Sequence, residues 1–166
     1  GDINLNGMIF RGVPILYDIV KDQVIIQDFQ RVYKINLPAD KVEWFSVLGH
    51  QFIHIARGSA DQVKTGFYDQ LYKGKIALYA KREKKIIEKY SNIQISKVVV
   101  SQNVYYIKKD GIYHTIKSKS SLLAVLKTKK KEVQQYWKTN DIKFKKEPER
   151  AMIMARGQDA IGVEHL

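Results

Sequence analysis

Between Gly66 and Lys85 the side chains change character at every step. Phe67, Asp69 and Leu71 alternate with Tyr68, Gln70 and Tyr72, and after Lys73-Gly74 the residues Ile76, Leu78 and Ala80 alternate with Ala77, Tyr79 and Lys81. A period of two sends successive side chains to opposite faces of extended backbone, so this stretch predicts a hairpin turning at Lys73-Gly74. The turn is also an electrostatic divide. Up to Gly74 the chain carries 8 lysines and arginines against 8 acids, and from Lys75 onward 21 against 9, so the formal charge of +12 lies wholly beyond it.

Short strands fill the rest of the first two thirds. Gly1 to Asn6 is polar and is expected to be loose. Met8 to Arg11 and Val13 to Val20 follow, with Pro14 at a strand beginning where its missing N–H is tolerated. Lys21-Asp22 predicts a two-residue turn into Val24-Ile25-Ile26, and Arg31 to Leu37 alternates until Pro38-Ala39-Asp40 breaks it. Val42 to Leu48 and Gln51 to Ala56 flank Gly49-His50 as a further hairpin, followed by a polar loop over residues 57–62. Lys81 to Lys89 fits either a long strand end or a helical turn. Lys97 to Val100, Tyr105 to Ile107 and Ile112 to Ile116 return to β character, the last two joined by Asp110-Gly111, whose positive φ suits a tight hairpin. Connections this short leave no room for crossover helices, so neighbouring strands are expected to pair antiparallel as a meander.

Beyond Lys117 the period changes. Ser118 or Ser120 can cap a helix, and Leu122, Val125, Leu126, Val133, Tyr136 and Trp137 recur at helical intervals, predicting two helices or one kinked helix ending near Asn140. Pro148 between Glu147 and Glu149 starts another, running through Ala155 to a stop at Gly157. With 166 residues, 45% of them apolar, one core is enough. The expectation is α+β: one domain over residues 1–166, an antiparallel meander over 1–117 curled into a half or closed barrel, and two or three helices over 118–158 packed on it.

Several chemistries are excluded or weakened. The absence of cysteine removes disulfides, thiolate zinc sites and a cysteine nucleophile. No apolar run reaches the 18 or so residues of a membrane span. No Gly-x-Ser-x-Gly, Walker loop or dinucleotide fingerprint occurs, and no cofactor or metal is expected. His50 and His54 would share a metal on a helix, but four residues of strand separate them by roughly 13 Å. His114 and His165 are isolated. Asp18 and Asp69 lie within strands and could form a hydrolase's carboxylate pair, whereas Asp22 and Asp28 have the places of turn acids. Lys127, Lys129, Lys130, Lys131, Lys138, Lys143, Lys145 and Lys146 form the densest basic cluster, interleaved with Tyr136, Trp137 and Phe144. Such a pattern can grip nucleic acid, or an anionic membrane or envelope polymer. Against these stands a solvated helix face whose aromatics pack inward, supported by Val133 and Trp137 at i and i+4. The excess of Lys over Arg argues against base-specific contacts.

Gly12 to Asp18, Gly66 to Lys75, Lys109 to Tyr113 and Ser118 to Leu123 resemble segments of a group of exported proteins from Bacteroidetes-type bacteria for which no activity is established. The likeness runs along most of the chain, and the tail after Gly157 departs from it. The resemblance implies an extracytoplasmic, periplasmic or secreted location, which suits a chain opening on Gly1 as a mature form. No activity comes with it. The expected role is a non-enzymatic exported binding or envelope-associated domain whose partner is an anionic envelope component or a protein. The alternatives are a nucleic-acid-binding module using the basic helices and a hydrolase using Asp18 and Asp69.

Overall fold

Three pairs of left-handed residues each set a hairpin. Asn6-Gly7, Leu48-Gly49 and Asp110-Gly111 have φ values of 52 and 80°, 51 and 79°, and 51 and 80°. Two consecutive positive-φ residues twist a two-residue turn in the sense of the flanking strands. The structure, a computed structural model, describes residues 1–28, 30, 32–56, 63–74, 76–91, 94–126, 130–146, 148, 149 and 152.

Among the described residues eleven strands precede two helices: β1 Ile3–Leu5, β2 Met8–Phe10, β3 Ile15–Asp18, β4 Gln23–Gln27, β5 Lys34–Asn36, β6 Val42–Val47, β7 His50–Ile55, β8 Gly66–Tyr72, β9 Ile76–Tyr90, β10 Ile95–Lys109, β11 Ile112–Ile116, α1 Lys119–Leu126 and α2 Lys130–Thr139. Antiparallel sheet dominates, as the alternation implies. Lys81 to Lys89 is strand, the continuation of β9, and β10 joins two stretches that the sequence pattern had separated. The first residues are not loose. Ile3 pairs with Phe10 on one side and Phe45 on the other and is buried, because Asn6-Gly7 folds β2 back beside β1.

The expected half or closed barrel does not form. One sheet runs in the order β11-β10-β9-β8-β7-β6-β1-β2 and ends in two edges, while β3-β4-β5 makes a separate sheet. The physical reason lies in where the apolar face goes. Ile15, Val24 and Leu37 of the small sheet and its flank pack with Ile3, Val42, Phe45, Phe52 and Phe67 in one core. A face already buried against a second layer gains nothing from closure.

The chain divides into two compact units: Gly1–Gln70 with Ala80–Val104, and Leu71–Tyr79 with the described residues from Tyr105 onward. In the first, Phe45 stacks on Phe52 with centroids 5.0 Å apart, and Tyr17 lies 5.1 and 4.9 Å from the two rings. In the second, Leu78, Ile107 and Ile116 from the strands meet Leu122, Leu126, Val133 and Trp137 from the helices. Each fully buried aliphatic or aromatic side chain contributes about 1.5–3 kcal/mol, which explains why short helices hold here. The helix expected after Pro148 falls largely outside the described residues.

Candidate functional site

The α1–α2 pair is built by its ends. Ser118 Oγ accepts from the Ser121 N–H at 3.2 Å, and Ser121 Oγ accepts from the N–H groups of Lys117 and Ser118, so Ser118 is the cap. At the other end Asp141 takes a φ of 48° and the Ile142 N–H returns to the Trp137 carbonyl at 2.8 Å, while Ile142 is buried. This left-handed stop with its apolar contact fixes where α2 ends.

Helical geometry then sorts the side chains of α2. Val133 and Trp137 point into the core and are 1% and 2% exposed. Lys131, Gln134, Gln135 and Lys138 stand at i, i+3, i+4 and i+7, one stripe of the opposite side. Together with Lys119, Trp137 and Ile142 they line an open groove of about 500 Å³. Lys119 Nζ lies 5.0 Å from the centroid of the Trp137 ring, a cation–π contact that holds this ammonium at the groove wall. Three ammonium groups and two amides line it, and none of its described lining residues is acidic.

Of the lysines singled out from sequence, only Lys131 and Lys138 line this groove. Lys130, Lys145 and Lys146 are exposed elsewhere, Lys143 faces Asp141 at 3.6 Å, and Lys127 and Lys129 lie outside the described residues. Lys119, Gln134 and Gln135 were missed; the i, i+3, i+4, i+7 spacing of the two glutamines with Lys131 and Lys138 was the signal available. Trp137 is buried and Tyr136 and Phe144 pack against the same core, so the aromatics of the basic tail are structural.

The first unit gathers the other candidates differently. Asp69 is 1% exposed, and its Oδ2 accepts from Arg82 Nε and Nη2 at 3.0 and 2.6 Å and lies 2.9 Å from His50 Nδ1. Asp18 is occupied elsewhere, accepting from the N–H groups of Val20 and Lys21 in the β3–β4 turn. The expected carboxylate pair therefore has two separate sets of partners. Asp69 orients the His50 ring, but Ser46 on the neighbouring strand sits opposite Gln51 and its hydroxyl is engaged by Asp2, placing it on the other face from His50. Asp28 caps the N–H groups of Val32 and Tyr33. No group of three potential metal ligands occurs among the described residues.

A second buried network surrounds Lys81. Its Nζ donates to Asp22 Oδ2 at 2.5 Å and to the Phe67 carbonyl at 3.0 Å, and Tyr17 Oη donates to Asp22 Oδ1 at 2.5 Å. Burial first, and then the hydrogen bond to Asp22 and its charge, push the Tyr17 phenol far above its ordinary range, which keeps the donor protonated. His54 stands on β7 with its ring 5.1 Å from Phe67, and its Nε2 is buried without a hydrogen-bond partner among the described residues.

Burial lowers the His54 pKa below its ordinary 6.5, more than Asp22 and Asp40 raise it. In the range below 6.5 the unfolded chain takes up this proton before the folded one does. The contribution is therefore complete above about 6.5 and is lost as pH falls towards the depressed folded value. Urea midpoints measured from pH 7.5 to 5 are expected to fall, and His54→Gln is expected to flatten that fall; an unchanged slope in the variant would contradict this account.

No family model, curated protein or solved structure matches the chain.

Proposed function

We propose that this chain is a non-catalytic binding domain that works outside the cytoplasm and takes an anionic polymer of the cell envelope. The observation that supports it best is the groove of Lys119, Lys131 and Lys138 with Gln134 and Gln135, which has cations and amide donors and no acid among its described lining residues. Ammonium groups attract carboxylate, sulfate or phosphate as point charges, while glutamine amides suit hydroxyl and ring oxygens. An excess of +12 over the chain adds long-range attraction for a polyanion. The extracytoplasmic setting rests on the resemblance of Gly12 to Asp18 and Gly66 to Lys75 to exported proteins.

Nucleic acid is the weaker anionic partner. Sequence-tolerant binding of single strands relies on exposed aromatic platforms, and Trp137 is covered by the core and by Lys119.

Titration with heparin, uncharged dextran and single-stranded DNA tests the reading. Heparin is expected to bind with an affinity that falls as salt rises, dextran not at all, and DNA more weakly than heparin. Lys131→Glu with Lys138→Glu is expected to weaken heparin binding at least about tenfold, since each exchange replaces attraction by repulsion at contact. Equal heparin affinity in the variant and the parent would sink the groove. Tighter binding of DNA than of heparin would replace the proposed partner with nucleic acid.

A further inference from the structure

β9 and β10 are 15 residues each, far longer than their neighbours β8 with 7 and β11 with 5. β8 joins β9 through a short turn at its Ile76 end, so its ladder covers only about the first half of β9. From Lys84 to Tyr90 every residue of β9 is exposed, and Ile86, Ile87 and Tyr90 are 56%, 40% and 74% exposed. Among the described residues no strand pairs with this outer edge, and apolar side chains beside such an edge are what sheet proteins normally avoid. This half-strand lies within the first unit.

The outer edge has a definite hydrogen-bonding phase. At the β9–β10 turn the Ser91 N–H donates to the Gln94 carbonyl at 3.0 Å, so Ser91 faces β10. Alternation along a regular antiparallel strand then turns Lys89, Ile87 and Lys85 towards β10, and the N–H and C=O groups of Glu88, Ile86 and Lys84 outward. A strand added to this edge must pair with those three residues.

Their charges are arranged to meet their own copy. The sequence from Glu83 to Lys89 is Glu-Lys-Lys-Ile-Ile-Glu-Lys. Laid antiparallel against itself with Ile86 opposite Ile86 of a second molecule, it sets Lys84 against Glu88 and Glu83 against Lys89. Two-fold symmetry repeats each pair, giving four opposite-charge pairs. Even-numbered residues meet even-numbered ones, as the outward groups require, and Ile86 meets itself on the axis. Lysines on a free edge commonly deter pairing; here the one whose backbone faces the edge, Lys84, is matched by Glu88 in this antiparallel register alone, while Lys85 falls opposite Ile87. A bilayer is a poor occupant by comparison, because hydrocarbon cannot satisfy the outward N–H and C=O groups.

We infer that two copies of this chain associate through the distal half of β9, pairing antiparallel about Ile86 to make one continuous sheet across a two-fold axis. The contact is isologous, and cross-strand ion pairs select the register.

Sedimentation equilibrium at about 0.15 M salt, where screening over roughly 8 Å damps the repulsion of two +12 chains, gives the test. The parent chain is expected to dimerise reversibly. Lys84→Glu sets Glu against Glu88, and Glu88→Lys sets Lys against Lys84; each alone is expected to weaken association at least about tenfold, since symmetry applies the change twice. Mixing the two single variants is expected to restore a dimer containing one of each, and the double variant K84E/E88K to restore a homodimer. Circular dichroism on every variant separates lost pairing from lost folding. Because the chain has no cysteine, Ile86→Cys offers a second measurement: mild oxidation is expected to give a disulfide-linked dimer, and Val100→Cys on β10 none. A parent chain that stays monomeric up to millimolar concentration overturns the inference, as do single charge reversals without effect or mixtures that fail to recover.

Discussion

Asp22→Ala is expected to lower the stability of the chain by about 3–5 kcal/mol, the usual cost of leaving a buried charge without its counter-ion. Lys81 is the reason. Its side chain is 9% exposed, and with Asp22 gone its ammonium keeps the Phe67 carbonyl and the face of Tyr68, whose centroid lies 4.9 Å away. Neither neutralises it. The site cannot relax by swelling, because Gly66, with φ at 141°, already leaves no room: a methyl there would meet the Asp22 carboxylate, and Lys81 Nζ at 2.5 Å. The pair also ties the β3–β4 turn to β8, since the Phe67 N–H reaches Asp22 Oδ2 at 3.3 Å. Asp22→Asn combined with Lys81→Met removes both charges and keeps the bulk, so it is expected to recover much of the loss. Urea unfolding read by tryptophan fluorescence decides it. A loss under about 0.5 kcal/mol for Asp22→Ala would mean that the ammonium finds water or another partner.

That network shows where the sequence was silent. Asp22 and Lys81 are 59 residues apart and Asp69 and His50 are 19 apart. Local periodicity carries no record of which turn acid meets which strand lysine. Asp22 has the credentials of an ordinary turn residue, and its left-handed φ of 55° bears that out; its second role depends on a sheet that only the folded chain assembles. Features governed by neighbours were legible. The Asp110-Gly111 turn, a cap at Ser118 or Ser120 and the alternation of β8 follow from backbone chemistry within a few residues, and the structure chooses Ser118. Lys81 to Lys89 was ambiguous for the same reason, since paired isoleucines among alternating charges fit a period of two or of 3.6 equally, and β10 decides between them. No barrel closes because strand number alone does not require closure: β3 to β5 form a second layer over Phe45, Phe52 and Phe67. On the candidate site, Lys131 and Lys138 could be named in advance. Lys119 could not, because its place at the groove depends on how α1 meets Trp137.

Trp137→Ala is expected to cost about 3–5 kcal/mol, as large aromatic truncations in a packed core do, and to lower the melting temperature by roughly 10 °C. The expectation separates two accounts of the aromatics in the lysine-rich tail. Were Trp137 a platform for bases or sugar rings, its removal would leave stability unchanged and abolish binding. Its environment says otherwise: it is 2% exposed, 6.4 Å from the Phe144 ring, and clustered with Leu122, Leu126 and Val133. Lys131→Glu with Lys138→Glu is expected to show the reverse signature, since both residues stand on the outer stripe of the same helix and touch none of that core. Differential scanning fluorimetry and heparin titration on the same two variants make the comparison. If Trp137→Ala melts with the parent and loses heparin, the assignment of the two sides of α2 is inverted. If stability falls with Trp137 and affinity falls with the lysines, one ten-residue helix carries packing on one side and recognition on the other, as its period of 3.6 allows.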